Sequence, residues 1–461
     1  MDPTWFERGV SPESVSLSLR HHVPEIRSGT VDLTGCRVTR LRSTEDGDQW
    51  TATYLLDVAG RDGTGSTITA HGTLVPAGAT PPTAGSASRF GEGGWSCWLP
   101  DLRLHLHTWS ADAELPGLHV ITQEDSARSV LEQVLRAHRP AADAVQLRGC
   151  QATVMSYKAG LRATVCCDLD LAQAEAPSDW PRAVVAKVHR VDEGRACHDV
   201  LEALWASPLR TGKALRIAEP VGYVDSLGIS VQSYLEHDRT LKDLLADSFS
   251  TPTDSEAVHD VIRATAVGLA SLHTSGVTGG AVTTWADELA TVEAKQAKLA
   301  SVVPWLDGLT RDSLTRIGRA AARTPPDQPT AAHGSFRPAQ VLLLPDGGLG
   351  LIDFDKAAQA EPAVDIALFL TKLRHSAVNK TGEAVGPDST ALEERSSRVD
   401  SVADAFIGAY QERARVTERR VRVWEALELC SLILSATKRL LPDRAATCAA
   451  MLQRHLVAHG L

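Results

Sequence analysis

Between residues 332 and 357 the chain reads "AHGSFRPAQVLLLPDGGLGLIDFDKA". A polar loop carrying His, Ser, Arg and Gln leads into short apolar runs around 340 to 353, expected to be strands, and the second run ends on two aspartates. Any fold for this chain has to accommodate that loop and those carboxylates inside a region otherwise patterned as helix. At 461 residues the chain is also too long for one ordinary hydrophobic core, so two or three domains are expected.

The composition narrows the classes of function. With 43% hydrophobic and 23% charged residues and a mean hydropathy of -0.11, the chain is of the soluble globular type. The opening "MDPTWFERGV" has two acids and no apolar run, which argues against a secretory signal. No stretch reaches the roughly 18 apolar residues of a membrane span, so no membrane partner is expected. The eight cysteines form no C-x-x-C pair and read as reduced, mostly buried thiols of a cytoplasmic protein. A net charge of -10 argues against a nucleic-acid surface, leaving small molecules or a protein as partners.

Along the chain, residues 30 to 76 alternate apolar and polar positions between Gly and Asp turns, the pattern of strands and hairpins. A Gly/Pro/Ser/Thr-rich loop is expected over 77 to 95. A helix is expected from Ser126, acting as N-cap, with Val130, Leu131, Val134 and Leu135 on one face. The strand pattern returns from Cys150 and continues through "RAVVAKVHR" to Arg190. The two β segments align as a weak internal repeat, Cys36 against Cys150 and His71 against Lys187; two unrelated sheets of similar composition explain the pattern equally well. After residue 235 amphipathic helices are expected near 256 to 275, 285 to 302, 309 to 323 and 398 to 455, which makes the chain α+β.

Several motifs follow one another in this frame. "AVVAKVHR" places Lys187 near the centre of a strand, and "ACHDVLEALWAS" reads as a helix carrying Glu202. "ISVQSYLEHDRTL" is a strand leaving into a polar linker; "HGSFRPAQVLL", "LIDFD" and "EPAVDIA" close the series. Together they resemble the protein-kinase-like fold, and within it the aminoglycoside phosphotransferase family, over roughly residues 145 to 455. The resemblance implies a bilobal region with a β-rich N-lobe at 141–236 and a helical C-lobe at 237–461, preceded by a β-rich accessory domain at 1–140.

It also implies roles. Phosphoryl transfer passes through a loose transition state, so such a protein positions reactants and neutralises charge. Lys187 is expected to hold the ATP phosphates with Glu202 as its partner; from the residues alone a solvated edge-strand lysine is the competing reading. Asp353 falls at the magnesium-binding aspartate, Gln340 at the second metal-binding amide, and Asp355 is either a further carboxylate for the ion or a loop acid facing solvent. Backbone groups of Ser233 and Leu235 are expected at the adenine edge. Asp365 is expected to brace the catalytic loop, His333 to be structural and Arg337 to face the transferred phosphate.

Ser335 occupies the place of the catalytic aspartate, and a hydroxyl cannot take the acceptor's proton as a carboxylate does. The glycine-rich turn is reduced to Gly160. His105 and His107 share a strand face, which fits half of a metal site or, more simply, a half-exposed sheet. Three functions follow: an ATP- and magnesium-dependent phosphotransferase acting on a small molecule or natural-product intermediate, a kinase acting on Ser or Thr of a precursor peptide, and a pseudokinase supporting a partner enzyme.

Overall fold

The computed structural model describes residues 4–43, 50–60, 63–76, 78, 88–90, 94–109, 112, 114–139, 146–171, 180–191, 193–249, 256–378 and 390–461. Most of the expected loop at 77 to 95 lies outside the described residues. The chain opens with α1 (Thr4–Val10), α2 (Pro12–His22) and α3 (Pro24–Arg27), which pack on a first sheet of β1 (Val31–Ser43), β2 (Trp50–Gly60), β3 (Gly65–Leu74), β4 (Ser96–Leu99) and β5 (Leu104–His107). Two further helices, α4 (Pro116–Thr122) and α5 (Glu124–His138), precede a second sheet. That sheet contains β6 (Leu147–Lys158), β7 (Arg162–Leu171) and β8 (Ala183–His189). Next come α6 (Gly194–Trp205), β9 (Arg216–Ile217), β10 (Pro220–Val224) and β11 (Ile229–Ser233), of which β10 and β11 complete the sheet.

The two sheets share one topology. The first is ordered β1-β2-β3-β5-β4 and the second β6-β7-β8-β11-β10, with antiparallel pairing throughout. Each begins with a Leu-x-Gly-Cys segment, and each shifts register between the Leu and the Gly, at Leu33/Gly35 and at Leu147/Gly149. Counting from that shared bulge corrects the expected alignment. Leu56 faces Cys36 and Ile68, while Leu169 faces Cys150 and bonds to Arg182. The position of Lys187 therefore matches Thr73, and His71 matches Val185.

The expected boundary at residue 140 also needs correction. Leu118, Ile121, Leu131 and Leu135 of α4 and α5 are buried with Val165, Val184 and Val231 of the second sheet, so both helices belong to that sheet's core. Helix α5 begins at Glu124, before Ser126, whose hydroxyl donates to the carbonyls of Val120 and Gln123 and does not cap the helix. The other buried apolar group runs from α1–α3 and the first sheet into the helical lobe.

The helical lobe continues from β12 (Arg239–Thr240) through α7 (Leu241–Ser248), α8 (Glu256–His273), α9 (Trp285–Ala300) and α10 (Trp305–Ala322). Thr240 and Thr284 cap α7 and α9 in reciprocal boxes with Asp243 and Asp287, satisfying first-turn N–H groups that have no partner within the helix. Short strands β13 (Thr330–Ala332), β14 (Val341–Leu343), β15 (Leu349–Leu351) and β16 (Ala358–Ala360) follow. The segment expected as one helical run over 398 to 455 is divided among α12 (Thr390–Gln411), α13 (Glu418–Lys438) and α14 (Pro442–Ala458), with α11 (Ala363–Val378) before them. Helix α13 is buried on nearly every side because α9, α10, α11 and α14 surround it. No helix among the described residues is long and apolar enough to cross a membrane.

The end of α13 is strained. Leu440 takes the left-handed conformation (φ 59), where glycine usually stands, and the amides of Leu440 and Leu441 return to the carbonyls of Thr437 and Ala436. A bulky residue there costs about 1–3 kcal/mol. Leu440→Gly is expected to raise the unfolding free energy by about 1 kcal/mol, since the side chain it removes is exposed, read as a higher urea midpoint with unchanged slope.

Candidate active site

Register brings the first cation into the cleft between the second sheet and the helical lobe. Lys187 pairs with Thr164 on β7 and Ser230 on β11, and Arg162 pairs with His189, so Lys187 and Arg162 emerge on one face. Lys187 Nζ lies 2.5 Å from Asp355 Oδ1 and 3.3 Å from Asp353 Oδ1, and Arg162 Nη1 lies 2.5 Å from Asp355 Oδ2. Lys187 is buried and the carboxylate end of Asp355 is largely so, which favours their mutual pairing.

Asp353 follows β15 in the left-handed region (φ 73), an uncommon conformation for a non-glycine residue and one that concentrates at functional sites. Burial pushes its carboxyl up, but Lys187 and Arg162, then the amide of Gln340, more than reverse this and hold it well below the usual carboxylate range. Gln340 Nε2 donates to Asp353 Oδ2 at 2.7 Å and to Ser335 Oγ at 3.3 Å. The buried Oε1 of Gln340 has no hydrogen-bond partner. An orphaned amide oxygen beside two carboxylates is the hard-oxygen donor set that a magnesium ion prefers, so these residues fit such an ion.

The catalytic-loop stretch is held from below. Asp365, fully buried at the start of α11, accepts from the His333 amide at 2.6 Å and the Phe336 amide at 3.4 Å, and His273 Nε2 stands 3.1 Å away. Gly334 (φ 69) lets the loop pass over the Lys356 carbonyl, which a Cβ would approach to 2.0 Å. His333 Nε2 lies 3.0 Å from the Ile352 carbonyl, which assigns the proton to Nε2 and leaves Nδ1 as an acceptor. The Ser335 hydroxyl lies 3.3 Å from that Nδ1 and 3.4 Å from the Asp353 carbonyl. Arg337, half exposed, extends its guanidinium to 3.7 Å from Asp353.

One expectation needs correction. Glu202 does not meet Lys187: it is exposed on α6 beside His198, at 3.5 Å, while Cys197 and Leu201 face the lysine, whose partner is Asp355. At the expected hinge, one backbone group of Ser233 and one of Leu235 have partners within the protein. The Ser233 amide donates to the Glu219 carbonyl at 2.9 Å, and the Leu235 carbonyl lies 2.8 Å from His237 Nδ1. The turn at Gly160 is tied down, its amide donating to Asp112 and its carbonyl accepting from Arg190, each at 2.7 Å.

The cavity left around Lys187, Gln232, Phe354 and Asp355 is about 10 Å³, too small for more than one water, because the ion pairs fill it. His105 and His107 share β5 with rings 5.8 Å apart, and the described residues contain no cluster of three metal-ligating side chains. The residue missed in the sequence is Arg162. Only the register of β7 on β8 sets it beside Asp355, and register is not written in the hairpin's own residues.

The Asp365 brace is directly testable. Burial raises its carboxyl, but His273 and His333 outweigh that and hold it below the ordinary value of 3.8. A lowered folded-state value means stability that is present above pH 4 and lost as the pH falls through the folded value. Asp365→Asn is expected to lower the unfolding free energy by about 2–4 kcal/mol at pH 7, and to flatten the loss of stability below about pH 4, in urea titrations of both proteins.

The profile of the APH phosphotransferase enzyme family matches residues 171–428. Among solved structures, a glucosamine kinase is 16% identical with a TM-score of 0.49, covering 98% of this chain and 99% of its own. A choline/ethanolamine kinase family protein from Mesorhizobium loti is 15% identical, TM-score 0.46, over 73% of this chain and 98% of its own. A spectinomycin phosphotransferase in complex with ADP and spectinomycin is 10% identical, TM-score 0.45, over 72% and 99%. No curated protein matches the sequence. The fold is α+β and protein-kinase-like, with a β-rich N-terminal region ahead of the two lobes, and the chain belongs to the phosphotransferase enzyme family, the family of the aminoglycoside phosphotransferases.

Proposed function

We propose that the protein transfers the γ-phosphoryl group of ATP to a hydroxyl of a small molecule, in a cleft formed by Lys187, Arg162, Gln340, Asp353, Asp355 and Ser335. The observation that carries this reading is the meeting of Lys187, strained Asp353 and the unpartnered Gln340 oxygen in one buried cluster. In this division of labour residues before Leu115 form an accessory domain, α4 to the hinge form the N-lobe, and the remainder forms the C-lobe.

Asp353, Asp355 and Gln340 would hold magnesium, which when bound supplies positive charge against the phosphate oxygens. Lys187 and Arg162, now paired with the carboxylates, are then free to turn to the α and β phosphates. The acceptor oxygen bonds to the γ-phosphorus as the bond to the β-phosphate oxygen breaks and ADP leaves. Its proton passes to Ser335 Oγ, whose own proton passes to His333 Nδ1 and returns by the same hydroxyl to the departing phosphorylated product. Burial holds the His333 imidazole below its usual value, so it accepts late, once the forming P–O bond has made the proton acidic. Ser335 is thus a relay in place of a base.

A pseudokinase is the second reading, favoured by the serine itself and by the closed cavity at Lys187. Thermal melts and ATP consumption decide between the two. Mg-ATP at a hundredfold excess over its Kd is expected to stabilise the wild type by about 2.7 kcal/mol, and Asp353→Asn to abolish most of that shift. Ser335→Ala is expected to lower transfer by roughly 10²-fold and Ser335→Asp to restore or exceed wild-type rates, with nucleotide binding unchanged in both. Nucleotide binding with no transfer in any form leaves the pseudokinase; undiminished activity in Asp353→Asn sinks the metal-site assignment.

A further inference from the structure

Beside the Ser335 loop lies a second cavity, of about 260 Å³, with a charge unlike the rest of the molecule. Lys242 from α7, Arg337 from the loop, Lys372 and His375 from α11, Arg439 at the end of α13 and Arg444 on α14 line it, and among the described residues no carboxylate does. The whole chain carries a net charge of -10, so a wall of bases without acids is not its average surface. Among the described residues Lys242, Lys372, Arg439 and Arg444 form no ion pair, and the nearest acid to Arg337 is Asp353 in the candidate site. Glu428, on α13, offsets Lys372 in part, but it is shared with Lys356 and Lys295. His375 is pushed down to about 4, first by burial and then by Lys372, Arg444 and Arg439, so these groups act on one another at close range. Like charges held together in a recess repel, and an anion entering it relieves them.

We propose that this cavity is the acceptor subsite and that the acceptor is a small hydroxylated anion, its carboxylate or phosphate seated among Lys372, Arg439 and Arg444. This rests on the phosphotransferase reading above. Arg337 links the two places: it lines the cavity and reaches toward Asp353, and it stands two residues from Ser335, where the hydroxyl must be presented. The volume suits one small molecule and not a folded partner. The positive field continues past Arg439 into a larger cavity of about 460 Å³ between the first sheet and the β6–β7 hairpin, where Arg40, Lys158 and threonine hydroxyls line the wall, again without a carboxylate among the described residues. A cationic acceptor would meet repulsion along this whole path.

Calorimetric titration of inorganic phosphate and of citrate at fixed ionic strength tests the site without knowing the acceptor. The wild type is compared with Arg439→Gln/Arg444→Gln and Arg439→Lys/Arg444→Lys, and Mg-ADP is titrated in parallel. Affinity for the anions is expected to fall roughly tenfold or more in the glutamine pair and to recover in the lysine pair, with Mg-ADP affinity unchanged. Transfer assays on glucose, glucuronate and glucose 6-phosphate then separate neutral, carboxylate and phosphate acceptors, and only the anionic members are expected to be phosphorylated. Equal anion affinity in wild type and glutamine pair overturns the proposal, as does transfer to glucose at the rate of its anionic counterparts, or a response to an acidic peptide with none to phosphate or citrate. Anion binding that depends on the two arginines in a chain that binds no Mg-ADP upholds the basic site and sinks the phosphotransferase reading instead.

Discussion

The contact on which the rest depends is the partly buried quartet of Lys187, Arg162, Asp353 and Asp355. Two cations come from adjacent strands of the second sheet and two carboxylates from the segment after β15, so the quartet is an electrostatic bolt between the lobes. Removing such groups from water costs several kcal/mol per ion, and only close pairing offsets it. Each of the four therefore keeps a partner of opposite charge within 3.3 Å. The same requirement makes the arrangement exchangeable, because a divalent cation with a polyphosphate presents the same charges in the same order. The protein is folded around a charge pattern that a metal and a triphosphate can replace.

Much of this was legible in the sequence because it is local. The loop, the hairpin and the aspartates after it lie within about 25 residues, and their order alone places Asp353, Gln340 and Ser335 together. Lys187 was legible because a lysine amid apolar strand residues needs a partner. What was not legible depends on rotation and register. Glu202 lies one position past Leu201, and on a helix that single step of about 100° turns it from the lysine to solvent. Arg162 needs the pairing of β7 with β8, which no residue of "YKAGLRATV" specifies. The basic cavity is assembled from α7, α11, α13 and α14, about 200 residues apart in the chain, so no window of sequence contains it.

Ser335 changes meaning once its neighbours are known. In the sequence it is a missing carboxylate. In the structure its hydroxyl lies between an amide donor, Gln340, and an imidazole acceptor, His333, whose other nitrogen is held by Ile352. Hydroxyls can do what a lone carboxylate does only when coupled to an acceptor, and the loop supplies one. The buried His333 is a weak base, so chemistry routed this way is slow unless the acceptor proton is already acidified; a cluster of cations beside the acceptor lowers the energy of the developing alkoxide and moves in that direction.

The accessory region follows the same logic from the opposite side. Its sheet repeats the order and the Leu-x-Gly-Cys bulge of the N-lobe sheet, but Thr73 stands at the place of Lys187 and Thr51 at that of Thr164. With no lysine on that face, nothing demands a buried carboxylate opposite it, and no interlobe bolt forms. The face is left with hydroxyls and Arg40, opposite the β6–β7 hairpin, and the space between stays open at about 460 Å³ while the cleft of the second sheet is filled by its own ions. One scaffold thus yields a closed, charge-matched cleft and an open, hydroxyl-lined one. Arg439, at the strained end of α13, belongs to the wall of the open cavity and to the basic recess beside Ser335, and through it the first sheet adjoins the site where an acceptor would sit.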